Sequence, residues 1–497
     1  MWTTIATLAA LLLLARWFRD RRSRRGYPLP PGPPLDPLIG HVRLIPAEHP
    51  EIFFYELSKT YGMAESLEAE YIAIPGRTMI IINSAKAAQE LLERRIHSSR
   101  VFSDMYDLMG FGKVIAFLPY GKTLHMHRKM YNEYLSREKC LEYRQMQFEE
   151  AERLVDNIKQ SPELFEDHLF VYATGTITRL VYGHAILTHD DKYLKIVRDI
   201  GNCMLQCPPP GSNLVDLIPI MKYMPSWFPG TYPATLARSF HPIVQRIYEY
   251  PVMDINDQLD KGIAHKSFLS THLQGHREQG ESYEYPLQEV KEAAPALYVA
   301  GVDTTFATSM IFILAMVLYP SVQATAQEEI DRILGEDATP TFDDRAGLPY
   351  VEYLVQEVYR WHNAAPTGIP HVSTEDDVYE GMFIPKGSIL ITNIRGITLD
   401  EDVYSNPHTF DPSRYARGEP YSSSHFGYGR RICSGRYFAD ASAWICIATI
   451  LANFTISPII GPDGKPVIPK EEFNTGLGKY VLLPTGMHVQ ILTRRNL

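Results

Sequence analysis

The chain has 497 residues, of which 45% are hydrophobic and 21% charged, so it can bury a large core and is not intrinsically disordered. Its net charge of −10 at pH 7 argues against nucleic acid as the main partner. The odd, sparse set of cysteines indicates reduced thiols and no disulfide framework: Cys140, Cys203, Cys207, Cys433 and Cys446.

The N-terminus carries an apolar run, residues 2–18, that only Arg16 interrupts. As a helix it would extend about 26 Å at about 1.5 Å per residue, enough for a thin bilayer if Arg16 snorkels. Five arginines and one aspartate follow, which favours a signal anchor over a cleaved signal peptide, where positive charge comes first. By the positive-inside rule the chain spans the membrane once and its remainder faces the cytoplasm.

A Pro-rich stretch over residues 28–37 follows the arginines and predicts a stiff, extended hinge, with a flexible linker as the alternative. We therefore expect three parts. These are a transmembrane anchor over 1–18, a basic and Pro-rich hinge over 19–37, and one folded domain over 38–497.

Two β-rich runs lie near the start of this domain. Tyr71 to Ile74 and Arg77 to Asn83 are apolar, rich in β-branched residues and separated by Pro-Gly, which predicts a hairpin. The helical pattern of Ala85 to Arg95 follows it. The sequence thus predicts a small β-rich lobe near the N-terminus, ahead of a long helical region.

A long helix is predicted over Leu287 to Leu318, between Pro286 and Pro320. Most of it is apolar on every side, so we expect it to be buried. It nevertheless contains Asp303 and Thr304, and a buried carboxylate and hydroxyl are unfavourable unless they are hydrogen-bonded or used in chemistry. The alternative is that Thr304 bonds to its own helix and Asp303 has a structural partner.

Glu357 and Arg360 lie three residues apart on another predicted helix, which allows an ion pair. The spacing by itself is weak evidence, because Glu150 and Arg153 share it and surface pairs contribute little.

The stretch from His425 to Asp440 packs three glycines and several arginines around Cys433, just before an apolar helical pattern. We expect the helix dipole and Arg430, Arg431 and Arg436 to lower the pKa of the thiol. A thiolate there is a metal ligand or a nucleophile, with His425 as the one histidine nearby in sequence. The glycines favour the ligand, because they let the backbone approach a flat group. A buried structural cysteine is the remaining alternative.

This stretch resembles the haem-binding loop of the cytochrome P-450 family. The family pattern F-x-x-G-x-R-x-C-x-G is matched by Phe426, Gly429, Arg431, Cys433 and Gly435. The resemblance implies a mainly α fold with a small β-rich lobe, and haem b whose iron takes the Cys433 thiolate as axial ligand. The loop residues would surround this cofactor.

Further motifs in the same order extend the resemblance over nearly the whole chain. The run A-G-V-D-T-T, 300–305, is similar to the family's oxygen-activating groove, in which Thr304 would bond to dioxygen and Asp303 would relay protons. Glu357, Arg360 and Arg414 match its structural triad, which holds the core together.

The helix around residues 120–129 resembles the one that meets a haem propionate through an arginine, here Arg128, with His125 beside it. His371 is implied as a further propionate contact. Leu124 and Arg395 depart from the family, because relatives often have tryptophan at both positions.

The resemblance also implies a substrate pocket. Its predicted residues are Phe102, Phe111, Phe117, Ala300, Thr367, Ile369 and Leu477. For the three phenylalanines, filling of the aromatic core is an equal alternative.

The function implied is a haem-thiolate monooxygenase of the endoplasmic reticulum membrane. It would use dioxygen and electrons from NADPH, delivered by NADPH–cytochrome P-450 reductase or by cytochrome b5. No dinucleotide or flavin fingerprint occurs in this chain, and a basic patch on the acidic protein would attract an acidic flavin domain.

A Pro-rich stretch at residues 216–230 is similar to fungal members that oxidise secondary metabolites, which implies an apolar or aromatic terpenoid, polyketide or indole. The alternatives are a haem-thiolate isomerase or dehydratase without a reductase, a membrane-anchored haem carrier without catalysis, and a degenerate paralogue.

Overall fold

The computed structural model describes residues 26–36, 39–46, 48–61, 69–74, 77–208, 212–475 and 482–494. The predicted membrane anchor, the first part of the hinge and the pocket candidate Leu477 lie outside these residues.

The described chain is mainly helical. Its α-helices are α1 (Pro50–Tyr61), α2 (Ala85–Glu93), α3 (Asp104–Met109), α4 (Lys122–Leu135), α5 (Arg137–Cys140), α6 (Arg144–Gln160), α7 (Phe165–Tyr182), α8 (Lys192–Leu205), α9 (Leu214–Leu217), α10 (Tyr232–Asp260), α11 (Phe268–Gln279), α12 (Leu287–Leu318), α13 (Pro320–Leu334), α14 (Pro349–Trp361), α15 (Ile394–Thr398), α16 (Ser413–Ala416) and α17 (Arg436–Asn453). The predicted helix boundaries at 287 and 318 are confirmed.

The strands are short and lie mostly near the two ends of the domain. They are β1 (Ala69–Ile74), β2 (Arg77–Ile82), β3 (Ser99–Arg100), β4 (His371–Val372), β5 (Asp377–Tyr379), β6 (Met382–Ile384), β7 (Ile389–Thr392), β8 (Phe454–Pro458), β9 (Phe473–Thr475), β10 (Leu482–Pro484) and β11 (Val489–Thr493). Five of them form one sheet in the order β1-β2-β7-β4-β3, and β5-β6, β8-β11 and β9-β10 form three separate pairs.

The large sheet joins strands that are far apart in sequence. The predicted hairpin is antiparallel, with Tyr71 opposite Ile80, and β2 pairs in parallel with β7, with Ile80 opposite Leu390. Because β7 lies more than 300 residues after β2, this small lobe is complete only when residues 371–392 return to the N-terminal hairpin. The sequence-predicted β-rich lobe is therefore confirmed.

The Pro-rich segment lies against this lobe. The carbonyl of Pro31 accepts a hydrogen bond from the Tyr71 amide at 2.7 Å, and that of Pro28 accepts one from the Phe383 amide at 2.7 Å. A Cβ on Gly32 would lie 2.2 Å from the Tyr71 carbonyl oxygen, so only glycine allows this approach. The described part of the predicted hinge is thus packed onto the domain.

Helix α12 passes through the centre of the helical region and belongs to both of its large apolar clusters. Ile311 and Leu314 pack with α14 and α17, whereas Val290 and Tyr298 pack with α8, α10 and α11. Among the described helices it alone is long and apolar enough to cross a membrane, but most of it is buried in the domain. The expectation of a buried helix is therefore confirmed.

A buried ion-pair network ties α14 to the segment before the cysteine loop. Arg360 donates to both carboxylate oxygens of Glu357, at 2.7 and 2.8 Å, and Arg414 Nε donates to Glu357 Oε1 at 3.1 Å. All three side chains are completely buried. The Tyr415 hydroxyl adds a bond to Glu357 Oε2 at 2.9 Å.

The remaining guanidinium N–H groups of Arg360 bind the irregular segment between α15 and α16. They donate to the carbonyl oxygens of Thr398, Pro407 and Thr409 at 2.9, 2.8 and 3.2 Å. The network therefore orders a stretch of chain that has little regular structure of its own.

We expect Glu357→Gln to lower the free energy of unfolding by about 3–5 kcal/mol, because it leaves two buried guanidinium groups without their shared carboxylate. Urea unfolding of the full chain measures this loss. Asp257→Asn, which makes the same chemical change in an exposed pair with Lys261, should shift stability by less than about 1 kcal/mol. Equal losses of unfolding free energy in the two variants would contradict a stabilising role of the buried network.

Candidate active site

A cavity of about 340 Å³ lies between α12 and the cysteine loop. Its wall is mostly apolar and includes Ile115, Tyr131, Ala173, Ile177, Ala296, Leu297, Ile369, Ile394 and Phe438. Cys433 is on one side, and Ala300, Gly301, Thr304 and Thr305 of α12 are on the other. The two motifs that the sequence singled out therefore face one enclosed space.

Several hydrogen bonds hold the backbone around Cys433. Its amide donates to the Phe426 carbonyl at 2.9 Å, and Arg128 Nη1 donates to the Ile432 carbonyl at 3.1 Å. The Cys433 carbonyl accepts a bond from Arg436 at 3.0 Å. Helix α17 begins at Arg436, so the sulfur lies at the N-terminal end of a helix, as predicted.

The expected lowering of the Cys433 pKa is wrong for the protein alone. Burial raises the pKa of this thiol, although the Gly435 amide, which donates to the sulfur, and the charges of Arg436 and Arg128 lower it. Arg430, which we expected to contribute, instead donates to the Glu93 carbonyl at 3.0 Å. The sulfur is accessible from the cavity, so a metal cation there would supply the charge that favours thiolate.

The three glycines of the loop are needed for different structural reasons. Gly429 has a φ of +59°, and a Cβ there would lie 2.2 Å from the Leu92 carbonyl oxygen, so this glycine permits contact with α2. Gly427 has a φ of +74°, which glycine adopts readily. A Cβ on Gly435 would meet no described atom within 4 Å, and Gly435 lines the cavity. Of the three, Gly435 fits the expected close approach to a flat group best.

Arg431 links the cysteine loop to residues 98–118, a segment that contributes to the cavity wall. Its guanidinium donates to the carbonyl oxygens of Ser98, Ile115 and Leu118 at 2.7, 3.2 and 2.6 Å. Burial, and then repulsion by Arg128, lower the pKa of Arg431 to about 10. The group is therefore a buried cation whose charge is not balanced by a nearby carboxylate.

Arg100, Arg128, Arg431 and His371 all line the cavity, whereas none of its described lining residues is Asp or Glu. Arg100 donates to the Ile369 carbonyl, and His371 Nδ1 donates to the His97 carbonyl at 2.7 Å. Burial, followed by the charge of Arg100, holds the pKa of His371 well below its usual range. Arg431 is buried and Arg100 and Arg128 are partly buried, and this excess of positive charge at the cavity favours an anionic ligand.

On α12, Thr304 lines the cavity and its hydroxyl donates to the Ala300 carbonyl at 2.8 Å. This is the helix back-bonding that the sequence left as an alternative, and it leaves the hydroxyl oxygen able to accept a bond. Gly301 is required by packing, because a Cβ there would lie 2.8 Å from Ile177.

Asp303 is not among the cavity-lining residues, and its carboxylate accepts no hydrogen bond that is recorded from the described chain. Burial raises its pKa from 3.8 to about 7. A structural partner for Asp303, the second alternative from the sequence, is therefore not found in the described region. A carboxyl group with this pKa can both hold and release a proton near neutral pH.

Other predicted site residues lie elsewhere. His125 is exposed. Its Nδ1 bonds to the Gly121 carbonyl at 2.7 Å, and its ring packs on Tyr120. Phe102 is 56% exposed, and Thr367 is buried outside the cavity wall. None of the three lines the cavity.

Phe111 and Phe117 also fail to reach the cavity. Phe111 is buried in an apolar cluster, and Phe117 packs edge-on against Tyr106 at 5.0 Å. Ile115 and Ala116 of the same loop line the cavity instead. The aromatic-core alternative is therefore the one that the structure supports for these two phenylalanines.

The sequence analysis missed Arg100, which lines the cavity from the short strand β3. The only signal for it is a charged residue within an otherwise half-buried strand. It also missed the ring of Tyr359, which stacks on His425 at 4.2 Å beside Phe426. Burial lowers the pKa of His425 to about 4.

The two departures from the expected pattern are both buried away from the cavity wall. Leu124 is 2% exposed on α4, and Arg395 donates to the Trp361 carbonyl. Burial, and then the charge of Arg360, lower the pKa of Arg395 to about 10. Neither residue is therefore part of the cavity wall in this chain.

The chain is similar to known proteins over most of its length. The family model described as cytochrome P-450 matches residues 30–484. The cytochrome P-450 monooxygenase COX2 of Coprinopsis cinerea is 34% identical over 481 residues, which are 95% of this chain and 90% of that protein. The cytochrome P-450 monooxygenase claR of Ampulloclitocybe clavipes is 34% identical over 483 residues, which are 94% of this chain and 87% of that protein.

Among solved structures, a zebra fish cytochrome P-450 with progesterone has a TM-score of 0.73 at 23% identity. The match covers 90% of this chain and 99% of that chain. At this identity the likeness shows the fold, and it agrees with the predicted mainly α architecture.

We expect Asp303→Asn to remove a pH dependence of stability. The folded carboxyl group keeps its proton up to about pH 7 and the unfolded one loses it near 3.8, so the native protein becomes less stable as the pH rises through this range. Urea unfolding at pH 5.5 and pH 8 should show native and variant stability converging at low pH and the variant more stable at high pH. Asp190→Asn, at an exposed position, is the control. Identical pH profiles for the native chain and Asp303→Asn would contradict the raised pKa.

Proposed function

The chain belongs to the cytochrome P-450 family and is an oxidoreductase of the monooxygenase class, and from this premise we propose that it holds haem b through Cys433 and uses dioxygen to oxidise a small apolar molecule. The observation that carries the proposal is the Cys433 sulfur, which faces Thr304 and its neighbours across an enclosed, mostly apolar cavity.

The residues around the cavity fit haem b. Its porphyrin is flat and apolar, and the cavity wall is mostly apolar. Its two propionates would meet the positive charges of Arg100, Arg128 and Arg431, which all line the cavity. His371 is neutral without such an anion, and a nearby propionate would raise its pKa and let Nε2 donate. The thiol of Cys433 is the donor for the iron.

Bound haem supplies the iron at which dioxygen is activated. The Cys433 loop holds the donor sulfur, because Arg128 and Arg431 fix the backbone on both sides of the cavity. The amide of Gly435 and the start of α17 stabilise negative charge on this sulfur. The apolar wall excludes water from the remaining space, which protects a reactive site from side reactions.

Thr304 and Asp303 are the proposed proton-handling residues. Thr304 donates to the Ala300 carbonyl, so its hydroxyl oxygen can accept a bond from a group in the cavity. Asp303, with a pKa of about 7, can take a proton from solvent and give it up again. Because Asp303 does not itself line the cavity, transfer between the two needs a water molecule or a rotation of the Asp303 side chain.

The substrate class follows from what lines the cavity opposite Cys433. The wall there carries aliphatic side chains, hydroxyl groups and the Asn363 amide, and its cations lie where the propionates would bind. We therefore expect a neutral apolar or aromatic molecule, and we propose a secondary metabolite such as a terpenoid, polyketide or indole.

Electrons must come from a partner, and we propose NADPH–cytochrome P-450 reductase, with cytochrome b5 as a second donor. The exposed cations Lys122, Arg137 and Arg430 lie on the elements next to the cysteine loop, where an acidic protein surface could dock. Lys129 and Lys139, which lie on the same two helices α4 and α5, pair with Glu284 and Glu142 instead.

We further propose that the chain is anchored in the endoplasmic reticulum membrane with its catalytic domain in the cytoplasm. The apolar N-terminal run supports this, as does an exposed apolar surface on residues 217–232. Trp227, Tyr223 and Tyr232 expose 77%, 71% and 70% of their area there. This surface adjoins the N-terminal lobe, because Arg77 of β2 donates to the Asp216 carbonyl at 3.2 Å.

Cys433→Ala tests the proposed cofactor ligand. We expect the native chain, reduced and exposed to carbon monoxide, to give the red-shifted Soret band of a thiolate-bound haem, and the variant to lose both this band and turnover. Cys203→Ala removes a buried thiol of α8 and should keep both. A Cys433→Ala protein that kept its pigment and its turnover would overturn the proposal.

Dependence on electrons separates the monooxygenase from its alternatives. Turnover that needs NADPH, reductase and dioxygen supports it, whereas turnover without them points to an isomerase or dehydratase. Binding spectra against a metabolite panel would identify the substrate, and a haem-loaded protein with no substrate response would be a carrier.

Membrane contact of the 217–232 surface can be measured in vesicles that contain brominated lipids. We expect the full chain to show quenched tryptophan fluorescence, and Trp227→Leu to remove part of this quenching, because Trp227 lies on the exposed apolar surface. Trp361 and Trp444 are fully buried and should contribute none. An unchanged quenched fraction in the variant would rule out this surface as a membrane contact.

A further inference from the structure

A second group of metal-ligand side chains lies outside the cavity, where α4 crosses the first turns of α12. His127 of α4 faces Glu289 and Glu292 of α12, and one ligand atom of each lies within 4.8 Å of the other two. None of these three residues lines the cavity beside Cys433. The position is separate from the proposed haem site.

Burial distinguishes this group from ordinary surface acids. The His127 side chain is fully buried, Glu292 is 8% exposed, and the Glu289 side chain is 20% exposed. Glu289 and Glu292 are three residues apart, so their carboxylates share one face of α12 and repel each other. Glu289 is the most exposed of the three side chains, so solvent reaches the group on its side.

Within the described chain, some polar atoms of this group have no hydrogen-bond partner. His127 Nε2 bonds to Glu289 Oε2 at 2.9 Å, and Gln288 donates to Glu292 Oε1 at 2.8 Å. The second carboxylate oxygen of Glu292 is buried and accepts no hydrogen bond, and its nearest cation, Lys113 Nζ, lies 3.7 Å away. One buried and one partly exposed carboxylate thus lie together, with a half-exposed ammonium group near the buried one.

The donor set matches a particular class of ion. One imidazole nitrogen with two carboxylate oxygens, and a fourth position open to water, is a coordination that zinc(II) accepts. The absence of sulfur from the group favours zinc over copper(I).

We propose that His127, Glu289 and Glu292 form a zinc(II) site that fastens α4 to α12. The ion would replace the bond between His127 and Glu289 and compete with Lys113 for Glu292. Arg128, the next residue, donates to the Ile432 carbonyl beside Cys433. An occupied site would therefore stabilise the helix that supports the cysteine loop, without taking part in the oxidation.

Equilibrium dialysis of the full-length, haem-loaded protein against zinc chloride tests the proposal. We expect one tightly held zinc per chain, a higher unfolding temperature with zinc, and a zinc X-ray absorption spectrum with nitrogen and oxygen neighbours and no sulfur. Glu289→Gln and Glu292→Gln should each weaken binding by at least about tenfold. Glu328→Gln, the same change at an exposed position of α13, should leave it unchanged.

Lys113→Met separates a metal site from a simple polar link between helices. It removes the competing ammonium group, so zinc should bind more tightly and raise the unfolding temperature further than in the native chain. If the cluster is only an ion-pair link, the substitution lowers stability and zinc does not restore it.

An intact carbon monoxide spectrum shows that each variant is folded around its haem. Absence of saturable zinc binding, a sulfur neighbour, or binding unaffected by both glutamate substitutions would each overturn the zinc site.

Discussion

The position of the Cys433 sulfur depends on hydrogen bonds from buried guanidinium groups to backbone carbonyl oxygens. Arg128 reaches the Ile432 carbonyl from α4, and Arg431 reaches Ser98, Ile115 and Leu118 on the opposite side of the cavity. A charged donor holds a carbonyl more firmly than a neutral one, and it must remain bonded because an unpaired buried charge is very unfavourable. These bonds hold the loop in place, and the positive charge of the same arginines favours an anionic ligand in the cavity.

A second network of buried charged residues orders an irregular part of the chain farther from the cavity. Glu357, Arg360 and Arg414 are completely buried, and the spare N–H groups of Arg360 bind the irregular chain before α16. In this protein buried charge is used where regular secondary structure is absent. Apolar contacts could not order these segments, because their backbone carbonyl groups need donors that helices and strands would otherwise supply.

Asp303 differs from these paired charges, because it accepts no hydrogen bond within the described chain and burial raises its pKa to about 7. An uncompensated carboxyl group in the central helix lowers stability near neutral pH, which is the kind of conflict found at functional positions. Leu124 and Arg395 are different. Both depart from the family pattern, yet they are buried outside the cavity, so the arginines that would meet a propionate are retained.

The sequence by itself determined the boundaries of α12, through its apolar pattern and flanking prolines. The fold class, the buried triad and the two motifs at the cavity were identified through the resemblance to the cytochrome P-450 family, because fixed motifs in a fixed order mark a family even where a single spacing is weak evidence. Only the tertiary structure decided which residues line the cavity. Phe111 and Phe117 turn into the core while Ile115, Ala116 and Arg100 face inward, and burial reverses the expected direction of the Cys433 pKa. These features depend on contacts between residues about 300 positions apart, such as Arg431 with Ser98, and no local pattern specifies how such segments meet.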